Sequence, residues 1–154
     1  TRTVEIRVHV RGNAAGALPC VVLSSLTVPV YPFPWSHGRG DGFGACGYRY
    51  ANQANSLFYY KDTKRPEMYS EKKPFLKSTG QWCSWHIVYN HSAGTLSLFI
   101  GQSESPLLVE RKVDLTGYVF RSIWFEGQLH HGSDYDNVKV IATVKSGGTA
   151  GKPE

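Results

Sequence analysis

The chain has 154 residues, 41% of them hydrophobic and only 19% charged, and 17 basic against 12 acidic side chains give a net charge of +5. Its 4 Trp, 9 Tyr and 7 Phe supply enough apolar surface for one domain with a buried core, which excludes an intrinsically disordered chain. No apolar run approaches the roughly 18 residues of a membrane-spanning helix, and the basic residues are interleaved with acidic ones, which disfavours nucleic acid as a partner.

The predicted elements are strands throughout. Val4, Ile6, Val8 and Val10 alternate with polar residues over 3–11, the two-residue period of a strand with one buried face. Cys20 to Val30 is a β-branched run closed by the turn-rich Tyr31-Pro32-Phe33-Pro34. Gly42 to Tyr50 and Asn55 to Lys61 read as aromatic strands around Ala51-Asn52-Gln53-Ala54. Trp82 to Asn90 and Thr95 to Ile100 flank His91-Ser92-Ala93-Gly94, a hairpin signal. Leu107 to Val113, Tyr118 to Phe125 and Asp136 to Val144 bring the total to about nine strands, and no segment carries a helical apolar stripe. Short strands punctuated by Gly and Pro turns predict an all-β, antiparallel sandwich or barrel. Val138, Val140 and Ala142 match Val4, Ile6 and Val8, so the first and last strands are expected to lie side by side. Residues 145–154 have linker composition, which places the domain at 1–144 with a flexible tail after it. That tail, the start at Thr1 and the single Met68 read as a mature or excised piece of a longer protein.

Cys20, Cys46 and Cys83 lack the close spacing of a zinc site. Two readings fit them: one disulfide plus a free or intermolecular thiol, or three buried thiols packed as small apolar groups. Asn90-His91-Ser92 is a glycosylation sequon at the expected hairpin tip and points toward a secreted or cell-surface protein. Arg39-Gly40-Asp41 resembles an integrin-binding tripeptide, but its flanking Gly38 and Gly42 are accounted for by a loop that needs positive φ or close backbone approach.

One stretch carries a wider likeness. Gly80-Gln81-Trp82-Cys83-Ser84-Trp85-His86-Ile87-Val88-Tyr89-Asn90 is followed by Gly94-Thr95-Leu96-Ser97-Leu98-Phe99-Ile100, then Ile123-Trp124-Phe125-Glu126-Gly127 and Asp136-Asn137-Val138-Lys139-Val140. Over residues 80–144 this cadence resembles the concanavalin A-like, laminin G-like jelly-roll superfamily. The resemblance implies a sandwich of two curved sheets and carbohydrate binding, as in lectins and carbohydrate-binding modules. Retaining hydrolases of this fold place two carboxylates about 5 Å apart across the glycosidic bond. Glu104, Glu110 and Glu126 are isolated, so such a hydrolase is disfavoured. Lyases of the fold use Tyr or His as the base, with Arg or Gln neutralising a uronate carboxylate. Tyr48, Arg49, Tyr50, Gln53, Gln128, His130 and His131 supply those types, so a polysaccharide lyase acting on an acidic glycan stands as an alternative. A protein–protein adhesion or assembly module of a larger multidomain or oligomeric extracellular protein is a third.

Sugar rings lay their C–H faces on aromatic side chains while polar groups bond their hydroxyls. Non-catalytic binding of a neutral or acidic polysaccharide is therefore expected at Trp35, Arg39, Asp41, Tyr48, Arg49, Tyr50, Tyr60, His130 and His131. Trp82 and Trp85 point to opposite sides of one strand, so one of them is expected in the core, and Trp124, between Ile123 and Phe125, is also read as core. Asp134, Asp136 and Asn137 offer oxygens for a structural Ca²⁺, against the simpler reading of residues ending a loop. Adjacent His130 and His131 on a strand would point to opposite faces, which argues against zinc.

Overall fold

The computed structural model describes residues 2–12, 19–25, 42–48, 54–60, 67–71, 80–126 and 132–144, with backbone alone at 48, 54, 55, 67–71 and 126. Among these residues every regular element is a strand. In chain order they are β1 (Arg2–Gly12), β2 (Cys20–Ser24), β3 (Gly42–Tyr48), β4 (Ala54–Tyr60) and β5 (Glu67–Glu71), then β6 (Cys83–Asn90), β7 (Thr95–Ile100), β8 (Leu108–Arg111), β9 (Ser122–Glu126) and β10 (Ser133–Val144). They pair antiparallel into two five-stranded sheets, ordered β10-β1-β6-β7-β8 and β5-β4-β3-β2-β9.

The alternation of β1 is realised as one buried face: Val4, Ile6, Val8 and Val10 point inward between the sheets. The first sheet adds Trp85, Ile87, Tyr89, Leu96 and Leu98 to that core, and the second adds Val21, Leu23, Phe43, Ala45 and Leu57. Inner faces from both sheets thus form one apolar layer, which makes the fold a β-sandwich. A fully buried Ile6, Ile87 or Leu98 contributes about 1.5–3 kcal/mol by leaving water. Of the two tryptophans on opposite sides of one strand, Trp85 is the core residue, and Trp82 is exposed.

The hairpin expected around His91-Ser92-Ala93-Gly94 joins β6 to β7. Gly94 takes φ +60, and the Asn90 side-chain carbonyl accepts the Ala93 N–H at 3.0 Å. The first and last strands are neighbours, with Val4 opposite Ala142 and Ile6 opposite Val140. Between Arg7 and His9 the register shifts, and Asn137 takes φ +51, so β10 carries a bulge opposite Val8. Tyr135 ties this edge to the other sheet. Its hydroxyl accepts the Cys20 N–H at 2.9 Å and donates to the Cys20 carbonyl at 3.3 Å, and its ring lies 4.9 Å from that of Phe125. Beyond Tyr135, β10 outruns this cover: Val138 and Val140 are 40% and 46% exposed although Ile6, opposite Val140, is fully buried.

Several boundaries differ from expectation. Glu67–Glu71 is an edge strand beside β4, where the sequence shows only part of a charged run. The strand expected from Tyr118 begins at Ser122, and β10 begins three residues earlier than Asp136; the run expected from Cys20 pairs as a strand over Cys20–Ser24, and its end at 26–30 lies outside the described residues. Cys20 and Cys46, direct register partners on β2 and β3, form a disulfide, and Cys83 is free.

Candidate functional site

The two sheets differ in their outer faces. On the second sheet Cys20, Val22, Cys46, Phe58 and Tyr60 form a further buried cluster, with half-buried Trp124 against it. On the first sheet the outward positions reach the surface; Val88, Phe99, Val109 and Ile141 are apolar, but around β1 they are mostly polar. Alternation along β1 that buries its valines turns Glu5, Arg7, His9 and Arg11 outward. Register then sets their neighbours: Arg7 lies opposite His86 of β6 on one side and Lys139 of β10 on the other, and His9 lies between Ser84 and Asp136. Adjacent strands are about 4.8 Å apart, so Lys139, Arg7 and His86 make one row across the sheet.

This row floors an open groove of about 480 Å³, lined also by His9, Ser84, Asn137 and the Gly101-Gln102-Ser103 turn after β7. Among the described residues no carboxylate lines it. The β10 bulge directs the Asn137 amide to the His9 ring, Nδ2 to Nδ1 at 3.1 Å. Glu5, next along β1, organises the floor from beside it: one carboxylate oxygen accepts from Arg7 at 3.2 Å and meets His86 Nε2 at 2.9 Å. Partial burial pushes the Glu5 pKa up, but the hydrogen bonds and charge of His86 and Arg7 outweigh it and hold the carboxyl below its ordinary value. The His86 ring also stacks on Phe99, centroids 5.3 Å apart. Lys139 has no ion-pair partner among the described residues.

Two residues beyond Ser84, about 7 Å by strand rise, and four beyond His86, about 13 Å, stands an exposed ring. Trp82 is 46% exposed. The Arg11 guanidinium lies 4.7 Å from its ring centroid and is itself held by Asp134, which accepts from Arg11 Nε at 2.9 Å and from its terminal nitrogen. An ion pair thus fixes the cation that braces one face of the indole. Next to it, burial pushes the Cys83 thiol pKa up, so this cysteine is a poor nucleophile at neutral pH.

Of the expected binding residues, only Tyr48 and Tyr60 are among the described ones. Tyr60 is only 4% exposed and packs edge-on against Phe58 in the second sheet's outer cluster, so its ring is not at the surface. Tyr48 ends β3 opposite Ala54. Trp35, Arg39, Asp41, Arg49, Tyr50, His130 and His131 lie outside the described residues. Of the expected calcium oxygens, Asp134 bonds Arg11, and Asp136 accepts the Asn137 N–H at 2.7 Å. No group of three His, Cys, Asp or Glu side chains gathers among the described residues. Arg7, His9, Ser84, His86, Gln102 and Lys139 are the groove residues that sequence reasoning missed; the signal for Arg7 and His9 was their place on the polar side of a strictly alternating strand.

No protein-family model matches the chain, and no curated protein matches it significantly.

Proposed function

We propose that this protein binds carbohydrate without catalysing a reaction, and that it does so on the open face of the first sheet. The observation that carries the reading is the groove of about 480 Å³, walled by hydrogen-bonding side chains and set on the same sheet face as the exposed Trp82 ring. A pyranose lays its C–H face on such a ring, while Ser84, His86, Gln102 and Asn137 present donors and acceptors to its hydroxyls. Among the described residues the groove's lining holds no carboxylate pair of the kind glycoside hydrolysis uses. The jelly-roll cadence of residues 80–144 and the two-sheet sandwich support the same reading. The Cys20–Cys46 disulfide suits an oxidising compartment, in keeping with a secreted or cell-surface protein.

A glycan array with and without Ca²⁺, followed by titration calorimetry on Trp82→Ala and Asn137→Ala, tests the proposal. Each substitution is expected to weaken binding about tenfold, the scale of one stacking or hydrogen-bonding contact. Absence of binding to any glycan, or wild-type affinity in both variants, defeats it. Release of an unsaturated uronate product from an acidic polymer would transfer the site to the lyase alternative.

A further inference from the structure

We infer that the sugar held in this groove is acidic, with its carboxylate or sulfate seated between Arg7 and Lys139. The inference rests on the carbohydrate-binding reading above and names the substrate class of that same site.

Three observations converge on it. Arg7 and Lys139 are direct register partners, so two cations stand side by side on adjacent strands, an arrangement that destabilises a sheet when nothing neutralises it. Among the described residues the one carboxylate that reaches the floor, Glu5, is already shared between Arg7 and His86, and Lys139 has no ion-pair partner. Among the described residues no Asp or Glu lines the groove itself. An anion placed there takes a forked pair of hydrogen bonds from the guanidinium and a point-charge contact from the ammonium. Arg7 is held by Glu5 on one side only, and its side chain is 54% exposed, so it remains accessible to a ligand.

The same face argues against a nucleic-acid strand. A phosphate track needs a run of basic contacts, but Glu5, Asp134 and Asp136 share this face with Arg7, Arg11 and Lys139. Positive charge is thus concentrated at one subsite, which suits an anionic group on an otherwise neutral ring. Trp82, four strand positions from the Arg7–His86 row or about 13 Å by strand rise, then takes a sugar unit further along the same glycan chain.

The test is calorimetry of the whole chain with four polymers and a DNA control. The polymers are a polyuronate, the same polymer with its carboxyls reduced, a sulfated glucan and the unsulfated glucan; the control is single-stranded DNA. The wild-type protein is expected to bind at least one acidic polymer tenfold or more tighter than its neutral parent. The two acidic arms tell carboxylate from sulfate. In Lys139→Gln the acid-to-neutral ratio is expected to fall below twofold, and Lys139→Arg is expected to retain it. Thermal melting confirms that the variants fold, as expected for a side chain on the open face. A ratio near one in the wild-type protein overturns the inference while leaving carbohydrate binding standing. DNA binding as tight as that of the best acidic polymer also overturns it, since the groove would then be a general polyanion surface. If no polymer binds, both readings fall.

Discussion

The Cys20–Cys46 disulfide is the sharpest stability element in the fold. It joins register partners on β2 and β3, strands at the centre of the second sheet, and closes a loop with a sequence separation of 26. In the chain-entropy model that separation removes about 12 cal/mol/K from the unfolded ensemble, or about 3.5 kcal/mol at 25 °C. For a domain of this length each kcal/mol moves the melting midpoint by about 2–4 °C, so reduction is expected to lower it by about 7–14 °C. Calorimetric melts with and without reductant measure this, with a Cys83→Ala background to prevent exchange. Thiol titration of the unfolded Cys83→Ala protein supplies the control: no reactive thiol before reduction and two after. A Cys20→Ala/Cys46→Ala variant should fall further than the reduced protein. Both sulfurs are buried against Val22, Phe58 and Tyr60, and removing them adds a packing loss to the lost crosslink. A reduced protein melting within 2 °C of the oxidised one would refute the loop-closure argument.

Gly44→Ala is expected to destabilise the fold by at least about 3 kcal/mol, read by urea unfolding, because its Cβ would run into the Val21 carbonyl oxygen and lie 2.9 Å from the Phe58 ring. Tyr135→Phe removes both bonds to the Cys20 backbone and leaves its N–H without that acceptor, so a loss of about 1–3 kcal/mol is expected in the same assay. Glu5 gives a pH signature. Its carboxyl is held below the ordinary value in the fold, so its contribution is complete above the unfolded value and disappears as pH falls through the lower folded one. The pair is partly exposed, so the amplitude is at most about 1 kcal/mol, and Glu5→Gln should flatten that part of the stability-versus-pH curve; an unchanged curve would show that the Arg7 and His86 contacts carry no net stabilisation.

Alternation made β1 legible, because a two-residue period specifies a face without reference to any partner. The likeness between Val4-Ile6-Val8 and Val138-Val140-Ala142 likewise forecast the β1–β10 pairing. β5 escaped because Glu67-Met68-Tyr69-Ser70-Glu71 has no β-branched residue and one strong strand former, and its pairing with β4 supplies what propensity does not. Tyr60 was misplaced for another reason. A local pattern tells which side of a strand a ring occupies, but whether that side is open depends on the sheet the strand joins, and β4 joined the sheet whose outer face is buried.

The groove shows the same limit from the other side. Its floor draws on β1, β6 and β10, segments dozens of residues apart in the chain, and only register brings Arg7, His86 and Lys139 into one row. Two of that row's three members were still within reach of the sequence. If Ile6 faces Val140, then Arg7, one step on and turned outward, must face Lys139 in an antiparallel pair. The alternation that buries the valines is therefore also what sets the two cations side by side. His86 follows from no such matching, and β6 had to be placed on the other flank of β1 before the third member of the row could be named. What the sequence left hidden was the adjacency of strands, while the face of each side chain was already written in its period.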